Sequence, residues 1–197
     1  MNDLIPHIHR WSKVYKPYFA QWSATQKSWL LNTGSLTKRL IAASQHSFEV
    51  KVLRECVAAV YPHEKRSLQS SQGDTVSNAA WVREVLLYVD SKPWVFARSV
   101  IPVSTLSGQE RKLRHLGKKP LGHLLFSSPR YQRSHFEIGS LTDHELKHQI
   151  ASELIHLPDA ASMTSPHRIW GRRSVFSPKE CYKPILVSET FLPIVFD

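Results

Sequence analysis

The sequence predicts an α+β fold: a single domain with an antiparallel β-sheet and helices packed on one side. Three observations carry this. The β-favouring runs come in adjacent pairs with helical patches between the groups, not in strict strand–helix alternation. At 197 residues the chain can bury one core and has little room for a second. Its apolar share of 42% is that of a folded protein, which sets a disordered chain aside.

Taken in order, Val14 to Leu31 mixes Trp, Tyr and Leu at near-helical spacing, predicting one or two turns before an Asn32-Thr33-Gly34-Ser35 loop. A second short helix opens at Leu36. Phe48 to Tyr61 sets Phe48, Val50 and Val52 against Lys51 and Arg54 and is read as the first strand. Ser67 to Asn78, rich in Ser, Gln and Gly, is a polar connector. Trp81–Val89 and Trp94–Val103 are two strands, and the polar Asp90-Ser91-Lys92-Pro93 between them marks a hairpin. Ser104–His115 is expected to be a helix, with Ser104 or Ser107 as N-cap and Leu116-Gly117 as its stop. Pro120–Phe126 is a further short helix or turn, Tyr131–Gly139 a strand, and Arg168–Phe176 and Pro184–Val195 the last two strands. Ser140–His167 is polar and irregular, an insertion or mobile loop within the one domain.

No apolar run approaches the roughly 18 residues that a membrane helix needs. The N-terminus lacks the charged-then-apolar order of a signal peptide. With only Cys56 and Cys181 there is no disulfide framework, so reduced, inert thiols and a cytoplasmic location are expected. The net charge of +10 favours anionic partners. Yet Lys38-Arg39, Arg111-Lys112-Arg114, Lys118-Lys119 and Arg172-Arg173 lie far apart in sequence, as on solvated basic faces. No nucleic-acid motif accompanies them, so neither a nucleic-acid partner nor membrane insertion is expected.

The informative residues are ions placed where strands should be apolar. Period-two alternation puts Arg83 on one face with Trp81, Val85, Leu87 and Val89. Arg98 likewise falls with Trp94, Phe96 and Val100, and Glu189 with Ile185, Val187 and Phe191. An unpaired buried charge costs several kcal/mol, roughly, so each such ion must reach water, an ion partner or a ligand. The plain alternative is structural: Arg98 could pair with Glu189 or with Glu84. Two cations and a carboxylate in apolar strands of a basic protein instead suit a small anionic ligand, such as an aromatic or cyclohexadienyl carboxylate.

His144-Glu145-Leu146-Lys147-His148 fits the H-E-x-x-H zinc-hydrolase pattern. Three fixed letters recur easily in a chain with 11 histidines, and the neighbours Asp143, Lys147 and Gln149 are polar. A solvated helical face is the favoured reading, with no metal site and a zinc hydrolase as a remote third possibility. G-x-S-x-G, P-loop and G-x-G-x-x-G signatures are absent.

Several blocks together resemble the chorismate lyase family. They are Trp29–Arg39, Val82–Leu87, Pro93-Trp94, Ala97–Pro102, Leu116–Gly122, Trp170–Ser174 and Leu186–Pro193, in the family's order across most of Trp29–Pro193. The resemblance implies a chorismate pyruvate-lyase that makes 4-hydroxybenzoate and pyruvate for ubiquinone synthesis, with no cofactor or metal. It also implies an antiparallel sheet, and a site closed from solvent by helical flaps. Residue by residue, Arg83 matches the arginine that grips the ring carboxylate and Glu189 the acidic residue near the product hydroxyl. Leu121 matches a ligand-lining leucine, and Leu36 falls where the family often has methionine. Ser140–His167 is longer than in compact members and inherits no role.

On this reading Arg83, Arg98 and Glu189 are the catalytic candidates, and Leu36, Arg83, Leu121 and Glu189 bind substrate or product. Arg98 is expected near the enolpyruvyl carboxylate or ether oxygen, and Glu189 on the ring hydroxyl as acid or base. A monomer is expected. The competing reading is a non-catalytic small-carboxylate-binding module, like the ligand-binding domains of some transcription regulators. Against it, the N-terminal 30 residues are too short for a helix-turn-helix.

Overall fold

The computed structural model describes residues 11–13, 22–69, 76–142 and 168–196. The strands among them are β1 Trp11–Lys13, β2 Phe48–Ala59, β3 Ala79–Val89, β4 Lys92–Ile101, β5 Tyr131–Arg133, β6 Glu137–Thr142, β7 Arg168–Pro178 and β8 Ile185–Phe191. They form one antiparallel sheet in the order β1-β6-β7-β8-β4-β3-β2, with β5 pairing β7 off that path. The helices are α1 Ala24–Leu30, α2 Leu36–Ala43, α3 Pro62–Leu68 and α4 Leu121–Ser127, with 3-10 turns at Gly108–His115 and Pro193–Val195. The antiparallel α+β fold expected from the sequence is the fold found.

Local chemistry sets the helix ends. Ser23 accepts from the Gln26 amide while the Gln26 side chain accepts from the Ser23 amide, a capping box that opens α1. The Ser35 hydroxyl caps α2, at 3.4 Å from the Lys38 amide. Gly117, just past the 108–115 turn, has φ +52°, a backbone shape that glycine adopts without strain.

The two faces of the sheet are covered differently. One carries Trp29 and Leu30 of α1, Leu36 and Leu40 of α2 and Leu121 and Leu125 of α4, packed on residues such as Val50, Val85, Leu87, Ile185 and Phe191. This is the expected helical layer. The sequence reading passes over α3, whose Leu68 packs on Val82, Val100 and Leu186 of the opposite face. Pro at its first turn and the pairing of the Glu64 side chain with the Tyr61 amide start it.

Two register shifts decide which ions meet. The β3–β4 hairpin turns on Asp90 and Ser91 alone, with positive φ of 48° and 65°, so Val89 pairs with Lys92. The expected four-residue loop is therefore a two-residue one. Trp94 then falls between pairs, Tyr88 opposite Pro93 and Leu87 opposite Val95. Leu53 does the same in β2, so that Arg54 lies opposite Glu84 and Glu55 opposite Arg83. Each bulge reverses the in–out parity of the residues beyond it.

Other differences are smaller. β1 precedes β2, so Phe48 does not begin the first strand. The run Tyr131–Gly139 is two strands, β5 and β6, broken at 134–136. Within Ser140–His167 only residues 140–142 are described, and the H-E-x-x-H pattern lies outside the described residues.

Candidate active site

Leu36, Arg83, Leu121 and Glu189 line one cavity on the helix-covered face, between the sheet and α2 and α4. Val50, Val85, Leu87, Ala97 and Val187 form its floor; Thr37, Pro120, Gly122, Leu125 and Phe126 close it from above. Gly122 permits the close seating of α4 on α2, because a Cβ there would lie 3.1 Å from Thr37 Oγ1. The lining is mostly apolar, with the hydroxyls of Thr37 and Ser99 and two ions, Arg83 and Glu189, set two strands apart.

Arg83 is 2% exposed. Its Nη2 donates to the carbonyls of Gly117 (2.5 Å) and Lys119 (3.2 Å), in the segment that leads into α4. Nε faces Glu55 Oε1 at 3.3 Å without hydrogen-bond alignment. Burial lowers the Arg83 pKa from its ordinary value, and Glu55 opposes that fall. A carboxylate entering the cavity would meet a guanidinium that is already desolvated and already oriented.

Glu189 lies two strands away on β8, about 12 Å from Arg83 between Cα positions by strand spacing and rise. Its Oε2 accepts from Arg172 Nε at 2.6 Å and stands 3.9 Å from Arg133 Nη2. Arg172 is fully buried, and its Nη1 also donates to the carbonyls of Trp29 (3.1 Å), Leu30 (3.4 Å) and Asn32 (2.6 Å) at the end of α1. Arg133 donates from Nε to Ser174 Oγ at 2.7 Å. Its guanidinium lies 3.8 Å from the Phe136 ring centre, with Phe126 and Phe176 at 5.4 and 5.2 Å. Burial pushes its pKa down to about 10, with Glu189 opposing and Arg172 adding to the fall.

Arg98 does not join this site, which corrects the role expected of it. The bulge at Trp94 sets it opposite Glu84 instead of on Arg83's face. There Nε and Nη2 donate to the two oxygens of Glu64 at 2.8 and 3.1 Å, and Nη1 to Glu84 at 2.6 Å. Its guanidinium lies 4.6 Å from the Tyr61 ring centre. Burial alone would lower its pKa, but Glu64 and Glu84 outweigh burial and raise it. This is the structural ion pair, holding α3 to the sheet.

Sequence reasoning misses Arg172 and Arg133. It groups Arg172 and its neighbour Arg173 with solvated basic pairs, yet they are 0% and 5% exposed. The alternation test that singles out Arg83 finds Arg172 too, on one face with Trp170, Ser174 and Phe176. No comparable signal marks Arg133, which ends a three-residue strand.

Comparison with known proteins gives a consistent result. The family model described as "Chorismate lyase" matches residues 14–197. A protein of Shewanella sp. (strain W3-18-1), named probable chorismate pyruvate-lyase, is 41% identical over 167 residues, covering 85% of this chain and 80% of that one. A protein of the same name from Methylococcus capsulatus is 39% identical over 169 residues, covering 86% and 95%. Among solved structures, the effector domain of PhnF from Mycobacterium smegmatis superposes with a TM-score of 0.52 at 11% identity, covering 84% of this chain and 92% of that one. That likeness is one of fold.

Proposed function

The chain belongs to the chorismate lyase family, and from that premise we propose that it converts chorismate to 4-hydroxybenzoate and pyruvate. The observation that carries this is an apolar cavity with a desolvated arginine and a carboxylate roughly 12 Å apart on the same face of one sheet. A six-membered ring with a carboxylate at one end and a hydroxyl opposite fits between two such groups.

In the reaction, the C–H bond at the hydroxyl-bearing ring carbon breaks and its electron pair enters the ring. The neighbouring ether C–O bond breaks with its pair on the enolpyruvate oxygen. The proton released is recovered when enolpyruvate becomes pyruvate, so no oxidant or reductant is needed. Aromatisation supplies the driving force, and the protein contributes geometry and charge stabilisation. Arg83 anchors the ring carboxylate, while Leu36 and Leu121 hold the ring faces. Glu189, with Oε2 occupied by Arg172, offers its other oxygen to the ring hydroxyl as hydrogen-bond partner and as proton acceptor or donor. The protein is proposed to act as a monomer. A role in ubiquinone synthesis in the cytoplasm accords with this product; among the described residues no helix is long and apolar enough to cross a membrane.

The test is incubation of the purified protein with chorismate. Equimolar 4-hydroxybenzoate, followed by chromatography, and pyruvate, followed by a lactate dehydrogenase couple, are expected. Chorismate recovered unchanged beyond its spontaneous decay would overturn the proposal. Glu189→Gln is expected to keep product affinity better than turnover; equal losses in both would leave it a binding role only.

A further inference from the structure

Two guanidinium groups and one carboxylate meet at the Glu189 end of the cavity. Arg172 is firmly held, with Glu189 on Nε and three backbone carbonyls on Nη1. Arg133 is not. Among the described residues its Nη1 reaches only the Thr33 carbonyl, at 3.4 Å, and its Nη2 stands 3.9 Å from Glu189, beyond hydrogen-bond distance. Its side chain is 14% exposed, and it touches Phe126, Phe176 and Glu189, all of which line the cavity. The three ions therefore leave one positive charge over, beside a mostly apolar cavity and with both terminal nitrogens of a planar fork loosely held.

A nearly buried cation in surplus is costly unless an anion arrives to meet it. The ring carboxylate cannot be that anion, because Arg83 takes it at the other end. The hydroxyl of the aromatic product carries no formal charge. The enolpyruvyl group does, and it leaves from the ring carbon next to the one bearing the hydroxyl. We propose that Arg133 grips this second carboxylate, so that the site is built for an ether-linked dicarboxylate and not for the monocarboxylate product. This rests on the chorismate reading for the identity of the ligand, but on the charge and geometry of Arg133 for its class. Departure of enolpyruvate removes the second anchor, so the product is held from the Arg83 end and by Glu189.

The test compares two ligands by calorimetry in the wild type, Arg133→Met and Arg133→Lys. They are 4-hydroxybenzoate and 3-(carboxymethoxy)-4-hydroxybenzoate, which adds an ether-linked carboxylate on the ring carbon next to the hydroxyl. Arg133→Met should weaken the dicarboxylate by roughly 30-fold or more and the monocarboxylate by less than about 3-fold, with Arg133→Lys in between for the dicarboxylate. Retained 4-hydroxybenzoate binding shows that the variant is folded. Equal losses for both ligands, or an unchanged dicarboxylate affinity, would overturn the assignment. Selective loss of the dicarboxylate in Arg133→Met, together with a wild type that leaves chorismate intact, keeps this inference and removes the lyase reading. Turnover with no selectivity at Arg133 does the reverse.

Discussion

Arg172 and Glu189 sit directly opposite one another on β7 and β8, and their 2.6 Å contact ties the cavity's carboxylate to the carbonyls that end α1. The pair thus joins the sheet to α1. Substitution of Arg172 by Met strands a nearly buried carboxylate and three carbonyls at once. Unfolding in urea should show a loss of about 3–5 kcal/mol, and a loss below about 1 kcal/mol would mean that the pair holds nothing.

Arg83, proposed as the anchor of the ring carboxylate, also holds the loop above it, through the carbonyls of Gly117 and Lys119. Arg83→Ala should lower kcat/KM for chorismate by about 100-fold, chiefly through KM, as loss of a charged anchor costs about 3 kcal/mol. Near-normal turnover would refute the anchoring role.

Arg98 makes the opposite prediction. Arg98→Met leaves Glu64, 2% exposed, without its cation, so stability should fall by about 3–5 kcal/mol. Affinity for 4-hydroxybenzoate, measured where the variant is still folded, should stay within about 3-fold, as the residue lies across the sheet from the cavity. A selective loss of ligand binding without loss of stability would return Arg98 to the site.

Those contrasting expectations show how much was legible in the sequence. Strand alternation located Arg83 and Glu189 as buried ions because each lies in an unbroken run of pleats on its own strand. It could not relate the faces of two strands, since that depends on pairing register. One extra residue at Trp94 sends Arg98 to the other face, and one at Leu53 brings Glu55, not Arg54, opposite Arg83. Arg133 lies on a strand too short to show a period, and α3 within a stretch whose polar residues hid a single apolar contact, Leu68. The fold follows from local pattern, whereas the ionic constellation follows from register.

Asp90 offers a test of the turn that sets this register. Its carboxylate accepts from the amides of Gln45, Ser47 and His46 at 2.9, 2.9 and 2.8 Å, and these bonds, Gln45 foremost, hold its pKa below the usual value. A carboxylate depressed on folding stabilises the fold at pH above its unfolded pKa, and that gain is lost as pH falls through the folded pKa. Asp90→Asn keeps the turn shape and removes the charge. It should melt below the wild type at pH 7, with the gap closing at acid pH; a gap independent of pH would exclude the charge as its cause.

Arg133 should show the signature of a residue kept for its ligand and not for the fold. Its pKa is lowered to about 10 by burial, with Glu189 opposing and Arg172 adding to the fall. For a base depressed on folding the sign is the reverse of Asp90. The charged form costs stability at every pH below about 10, and the cost is relieved as pH rises from there towards the ordinary arginine value of the unfolded chain. At pH 7 Arg133→Met removes that cost and one hydrogen bond to Ser174, while the thioether still packs on the phenylalanine rings. Ligand-free protein should therefore unfold within about 1 kcal/mol of the wild type, or above it, where Arg172→Met falls by several. The same variant should gain less thermal stabilisation from 3-(carboxymethoxy)-4-hydroxybenzoate than the wild type does. A fall in ligand-free stability as large as that of Arg172→Met would make Arg133 a structural cation, and the surplus charge at the cavity would then need another owner.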